Sequence, residues 1–168
     1  MNMSTPLMHS NEIELIEQYL DQDTTMLEYG SGASTAYFAE KVKHLTSIEH
    51  NKHWVKVVKN KIRNLSNVEY VAIPTKNVKP APRDLFAKYI DWPKTQNRKF
   101  DVVFIDGRAR QWVAESVQNV IDETSIVLVH DWGPIVDGSG MKRPRYDRIL
   151  DFYDVVDQVG TLVALKKK

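Results

Sequence analysis

The sequence contains no cysteine, which removes disulfides, thiolate metal sites and cysteine nucleophiles from consideration. No apolar run approaches the roughly 20 residues needed to span a bilayer. The first ten residues, Met1 to Ser10, lack a charged segment followed by an apolar one, so no signal peptide is expected. These absences set the expectation of a cytoplasmic chain with no membrane partner. Neither sign of charge is in excess. The 23 basic residues face 22 acidic ones, for a formal net charge of +1. That balance carries no phosphate-backbone footprint, so nucleic acid is not expected as a partner. The closing Lys166-Lys167-Lys168 run is expected to be a frayed, solvated tail.

What is present is the material of one ordinary folded domain. Apolar residues make up 42% and charged residues 27% of 168 positions, which is enough for a real core. Residues 1–24 read as an N-terminal helix and lead-in, and 25–168 as the core of the same domain. Ile13, Ile16 and Leu20 fall near helical spacing, with Ser10 as the expected N-cap. Short apolar runs then alternate with amphipathic ones. Strands are expected at Thr25–Tyr29, His44–Glu49, Val68–Ile73, Phe100–Ile105 and Ser125–His130. Helices are expected at Ser34–Lys41, Lys52–Asn64 and Ala109–Ile121, with shorter ones near Asp84–Ile90 and Tyr146–Leu150. Within Lys52–Asn64, Trp54, Val57 and Val58 read as core. Pro74, Pro80, Pro82 and Pro93 punctuate the least regular stretch. Two last strands, Phe152–Asp157 and Thr161–Leu165, are split by Gly160 and read as an antiparallel hairpin. The alternation implies an α/β fold, a Rossmann-like three-layer α/β/α sandwich. Its seven-stranded sheet is mostly parallel and ends in that hairpin.

Ligands of open parallel sheets bind beyond the carboxyl ends of the strands. Those ends read Glu28-Tyr29-Gly30-Ser31-Gly32, Glu49-His50, Asp106-Gly107 and His130-Asp131. Gly30 and Gly32 permit a tight turn against which a ligand can lie on bare backbone. A dinucleotide fingerprint requires a third glycine, and Thr35 stands at that position. The ligand that fits better is cationic and lacks phosphate, because Glu28 precedes the turn. Glu49, 17 positions after Gly32, is placed to accept hydrogen bonds from ribose hydroxyls.

These residues resemble the class I S-adenosylmethionine (SAM)-dependent methyltransferases. The matching segments are Leu27 to Ser34 (LEYGSGAS), Ser47 to His50 (SIEH) and Phe100 to Gly107 (FDVVFIDG), together with the closing hairpin. The E-x-G-S-G-x-S-T start and the I-D-G-R turn are similar to small-molecule and sugar O-methyltransferases, including the glucuronoxylan methyltransferase-like group. The resemblance implies SAM as cofactor. Glu28, Gly30, Ser31, Gly32 and Ser34 would surround its amino-acid part, with Glu49 and His50 on its adenosine and Asp106 toward its methyl. It further implies methyl transfer to a hydroxyl of a small molecule or carbohydrate. Two alternatives stay open: an NAD-linked oxidoreductase, and a non-catalytic domain that binds SAM or a partner.

Asp106, His130 and Asp131 are the expected catalytic residues, since a carboxylate or imidazole can take the acceptor's proton. The same three would also suit a divalent cation such as Mg²⁺ or Mn²⁺. Arg108 and Arg143 are candidates to clamp an acidic group of the substrate, and Trp132 and Tyr146 to stack on a sugar ring. Arg110, Lys142 and Arg145 flank the same rim as further candidates for the clamp, and Trp112 as a further one for stacking. The chain has little room for an acceptor-binding cap. A homodimer, or a larger multidomain polypeptide, would complete one. Against each reading stands a plainer one: a solvated basic loop around Arg143, a strand-end histidine at 130, a simple turn at Asp106-Gly107.

Overall fold

The computed structural model describes residues 5–76, 78, 80–132 and 144–168. In chain order the elements are α1 (Ser10–Glu17), β1 (Thr25–Tyr29), α2 (Ala33–Ala39), β2 (His44–Glu49), α3 (Lys52–Ile62), β3 (Val68–Ala72), α4 (Ala87–Ile90), β4 (Val102–Ile105), α5 (Arg110–Ser116), β5 (Ile126–Val129), α6 (Pro144–Asp147), β6 (Tyr153–Val159) and β7 (Leu162–Lys167). Short 3₁₀ turns follow α4, α5 and α6.

The strands form one sheet in the order β3-β2-β1-β4-β5-β7-β6. The first five are parallel, and β7 runs antiparallel to both β5 and β6. This is the Rossmann-like α/β sheet with a closing antiparallel hairpin that the sequence led us to expect. Strand order reverses between β1 and β4, which is where such sheets open a ligand crevice. Central strands buried on both faces read as continuous apolar runs, and every residue of β4 and β5 is buried. Period-two alternation then divides the core. Leu27, Tyr29, Val103, Ile105 and Val127 meet Tyr89, Ile90, Val113 and Val117 on the α4–α5 side. Met26, Val102, Phe104 and Leu128 meet Leu15, Ile16 and Phe38 on the α1–α2 side. Each large apolar side chain buried this way contributes roughly 1.5–3 kcal/mol. No helix among the described residues is long and apolar enough to cross a membrane.

Several expectations need correction. His9, not Ser10, is the N-cap of α1, because its N–H is taken by Glu12 Oε2 at 3.0 Å. The helix expected over 109–121 stays α-helical only to Ser116. Gln118 and Asn119 donate their side-chain amides to the carbonyls of Glu115 and Ser116 (3.1 and 2.8 Å), competing with the helical ladder. The helix expected near 84–90 is shortened to α4. Of α3 only Val58 and Ile62 are buried, and Val57 is 40% exposed. The lysine tail is not frayed: Lys166 and Lys167 belong to β7, paired with Asp154 and Tyr153, and the Lys168 N–H donates to Phe152 O at 3.1 Å.

Candidate active site

The end of β1 fixes the site. After Tyr29 the chain must leave the sheet, and Gly30 does so at φ +96°. A Cβ there would stand 2.6 Å from the backbone N of Gly107. The turns after β1 and β4 therefore touch backbone to backbone, which only glycine at position 30 allows. The Gly30 N–H donates to Ile48 O at 2.9 Å, drawing the end of β2 alongside. One cleft of about 330 Å³ results, lined by Gly30, Ser31, Glu49, His50, Trp54 and Asp106, with Asn51, Gly107, Arg108 and Arg110 at its edge.

Glu49 stands at one end of this cleft. Its Oε2 accepts the Ser31 N–H at 3.0 Å and its Oε1 the Asn51 N–H at 2.6 Å. Each oxygen keeps a lone pair for a ligand hydroxyl. Neither ring nitrogen of the buried His50 makes an aligned hydrogen bond, although its Nδ1 lies 3.1 Å from Glu49 Oε1. The ring packs on Phe86 and Tyr89. A buried imidazole left unpaired beside bare glycine backbone and a carboxylate fits the adenosine of SAM, which brings both an apolar face and polar edges.

Glu28 and Ser34 lie one layer below the cleft and do not line it. Glu28 is fully buried and accepts three hydroxyls: Ser34 Oγ (2.5 Å), Thr35 Oγ1 (2.7 Å) and Ser47 Oγ (2.5 Å). Burial raises its carboxyl to about 7 against the opposing pull of those hydroxyls. Ser34 does not cap α2: the Gly32 N–H, at the N-cap, is taken by Thr35 Oγ1 at 2.9 Å.

The other end of the cleft is the rim of β4 and β5. Asp106 Oδ1 lies 3.0 Å from His130 Nδ1 and accepts Arg110 Nη2 at 3.0 Å. No hydrogen bond among the described residues reaches Asp106 Oδ2. His130 is buried behind Asp106, and its Nε2 lies 3.4 Å from Glu12 Oε2. Burial alone would lower the His130 pKa. The hydrogen bond and charge of Asp106, then the charges of Asp131 and Glu12, outweigh it and raise the value. Glu12 is itself held below the usual carboxylate range. Its burial acts the other way but is outweighed by hydrogen bonds from Thr161 and His9. Asp131 is half exposed at φ +51°.

Sequence reasoning placed Arg110 on the rim as a clamp for substrate. The structure turns it inward. Its Nε donates to Gly107 O (3.0 Å), Nη1 to His130 O (2.8 Å), and Nη2 to Asp106 O (2.9 Å) and to Asp131 Oδ2 (2.9 Å). It also bears on the metal expectation. Asp106, His130 and Asp131 do bring ligand atoms within 4.8 Å of one another. The guanidinium, however, already neutralises both carboxylates and is pinned by three backbone carbonyls. His130 Nδ1 points at Asp106. This donor set does not fit a resident divalent cation.

Of the expected substrate residues, Arg108 lies at the cleft. Trp132 and Tyr146 are buried and stacked on each other, with ring centroids 5.6 Å apart, so their faces serve the core. Lys142 and Arg143 fall outside the described residues. Sequence reasoning missed Glu12 and Trp54. Position 12 sits three and four residues before the buried Leu15 and Ile16, so an acid there lies on the apolar face of α1, a readable signal. Trp54 Nε1 donates to Ser31 O at 2.5 Å and holds the glycine turn from α3.

Residues 27–132 match the family described as "Methyltransferase domain". No curated protein matches the chain at a significant level. Among solved structures, a methyltransferase-like protein from Silicibacter pomeroyi is 24% identical, with a TM-score of 0.74 over 98% of this chain and 88% of that one. A methyltransferase from Streptococcus mutans, solved with S-adenosylhomocysteine (SAH), is 12% identical with a TM-score of 0.60, over 96% of this chain and 100% of that one. A SAM-dependent methyltransferase from Aquifex aeolicus is 14% identical with a TM-score of 0.61, over 94% and 90%.

Proposed function

The chain belongs to the methyltransferase-domain family, and on that premise we propose that it moves the methyl group of SAM to a hydroxyl of a small molecule or carbohydrate. The observation that carries the reading is the cleft itself: a carboxylate at each end, Glu49 and Asp106, with bare backbone of Gly30, Ser31 and Gly107 between them. Glu49 takes the ribose hydroxyls. The turn at Gly30–Gly32 receives the amino-acid part, held in shape from below by Glu28 and from the side by Trp54. When bound, SAM supplies a methyl on a sulfonium sulfur, an electrophile with no need of further activation.

The protein's own work is at Asp106. An acceptor hydroxyl would hydrogen-bond to Oδ2 and give up its proton there, while bound SAM would supply the methyl and leave as SAH, its sulfur keeping the electron pair of the broken sulfur–carbon bond. Arg110 and His130 occupy Oδ1, which fixes the carboxylate plane. Proton removal of this kind contributes typically about 10²–10⁴-fold, and alignment adds to it. His130 acts through Asp106 as a positioning group. Arg108 at the cleft is the residue best placed to meet an acidic substituent on the acceptor.

Calorimetric titration with SAH tests the reading. Binding to the intact chain is expected, with Glu49→Ala weaker by about 1–3 kcal/mol, the scale of hydrogen bonds to a charged group. A panel of hydroxylated acceptors should then show turnover. SAH binding without methyl transfer to any of them favours a non-catalytic role. An intact chain that ignores SAH removes the proposal.

A further inference from the structure

The net charge of +1 conceals a separation. Residues 51–100 carry 12 basic and 3 acidic side chains, against 11 and 19 in the rest of the chain. No acidic residue stands between Glu49 and Glu69. The excess is concentrated on α3. Lys52, Lys56, Lys59 and Arg63 follow one another at intervals of four, three and four residues, which places them on one face of a helix. All four are exposed, and none pairs with a carboxylate among the described residues. Lys61 is exposed beside the stripe.

Such a stripe repels itself, because like charges three and four residues apart on a helix destabilise it. Every other surface helix position that carried a compensating acid would relieve this, and α3 has none. We propose that this face of α3 is a docking surface for the phosphate backbone of nucleic acid, bound without regard to sequence. The cations form a line about 16 Å long, and a phosphate backbone is a line of charge. Three of the four are lysines, suited to point contacts with phosphate and not to planar bidentate pairing. A membrane surface is the poorer partner, because interfacial helices oppose their basic face with exposed aromatic or leucine side chains. Among the apolar residues of α3 only Val57 is substantially exposed. The surface is separate from the rim where the acceptor is placed, so it stands whether or not the hydroxyl reading does.

Fluorescence anisotropy of the full chain with labelled single-stranded RNA and duplex DNA tests this. Four phosphate contacts predict that single-strand affinity falls about 50-fold between 50 and 200 mM salt. The triple variant Lys56→Glu/Lys59→Glu/Arg63→Glu should abolish binding while leaving SAH affinity unchanged. Lys166→Glu/Lys167→Glu/Lys168→Glu should leave nucleic-acid binding intact. Should charge reversal lower the melting temperature, Lys56→Gln/Lys59→Gln replaces it, with about a tenfold loss at 50 mM salt expected. No binding at 50 mM salt, binding that survives the α3 variants, or binding to anionic vesicles in preference to oligonucleotides overturns the proposal.

Discussion

Two carboxylate clusters stand at the strand ends of one sheet: Glu28 under the turn of β1, and Asp106 with Asp131 at the ends of β4 and β5. They are satisfied in opposite ways. Glu28 has no cation and takes three neutral hydroxyls from two elements, α2 and β2. Asp106 and Asp131 share a guanidinium, and Asp106 has an imidazole as well. The first arrangement leaves a carboxyl raised by burial to about 7, a group that sets structure. The second gathers a cation and an imidazole around the carboxylates at the strand ends. The cluster beneath the cleft is built for shape, the one at its rim for charge.

The contrast breaks first at Asp106. Asp106→Asn keeps the size and leaves the bonds of its own backbone to Tyr29 O and Arg110 in place, but removes the proton acceptor. Turnover should fall by about 10²–10⁴-fold while SAH affinity stays within about twofold, read by calorimetry alongside initial rates. Undiminished turnover would move the base elsewhere and make the two clusters equivalent.

Arg110→Met comes next. It strands two acids and three carbonyls at the strand ends; the guanidinium is buried but the carboxylates are partly exposed, so the loss should fall below the roughly 3–5 kcal/mol of a fully buried pair. Denaturant unfolding should show that loss. A double variant with Asp106→Asn should recover part of it, since the two changes share a partner.

Glu28→Gln sharpens the other half. The folded pKa of about 7 lies above the ordinary value of 4.5. The wild-type chain therefore has this contribution in full below about pH 4.5 and loses it as pH rises toward 7, by about 3 kcal/mol in all. The glutamine variant should fold and lose that slope. His130 also has a raised pKa, so its contribution is present below its ordinary 6.5 and lost above, and the slope that remains in the variant should lie at the higher pH. A variant with an unchanged profile between pH 4.5 and 7 would show that Glu28 is ionised throughout.

How far the sequence discloses these clusters follows from the range of the forces involved. The strands, the Gly30–Gly32 turn, Glu49 and Asp106 are legible because period-two burial and strand-end position are local properties. The closing hairpin is legible through Gly160, which stands between its strands at φ +56°. The hydroxyl shell of Glu28 is not, because Ser34, Thr35 and Ser47 are ordinary residues until two elements pack together. The Glu12–His130 approach spans 118 positions and has no local mark beyond an acid on an apolar face. Arg110 misleads for a related reason. A basic residue beside a rim reads as a clamp, and only the folded ends of β4 and β5 supply the carbonyls that turn it inward. Net charge misleads by averaging, since a total near zero hides the cationic helix.

The smallest effect concerns the backbone on each side of the comparison. The turn after β1 meets its positive φ with Gly30, whereas the turn after β4 places Ala109 at φ +57°. A left-handed alanine costs roughly 1–2 kcal/mol, and it immediately precedes Arg110, so the strain holds the guanidinium's approach to the rim. Strain kept beside a reactive carboxylate is informative when its relief has a price in activity. Ala109→Gly should raise unfolding free energy by up to about 1 kcal/mol, with the gain cut by glycine's greater freedom in the unfolded chain. Turnover should drop a few-fold as Arg110 loosens, with SAH affinity unchanged. A variant both more stable and fully active would mean the left-handed turn is incidental, and that the charge-bearing end of the cleft needs no more backbone constraint than Gly30 gives the other.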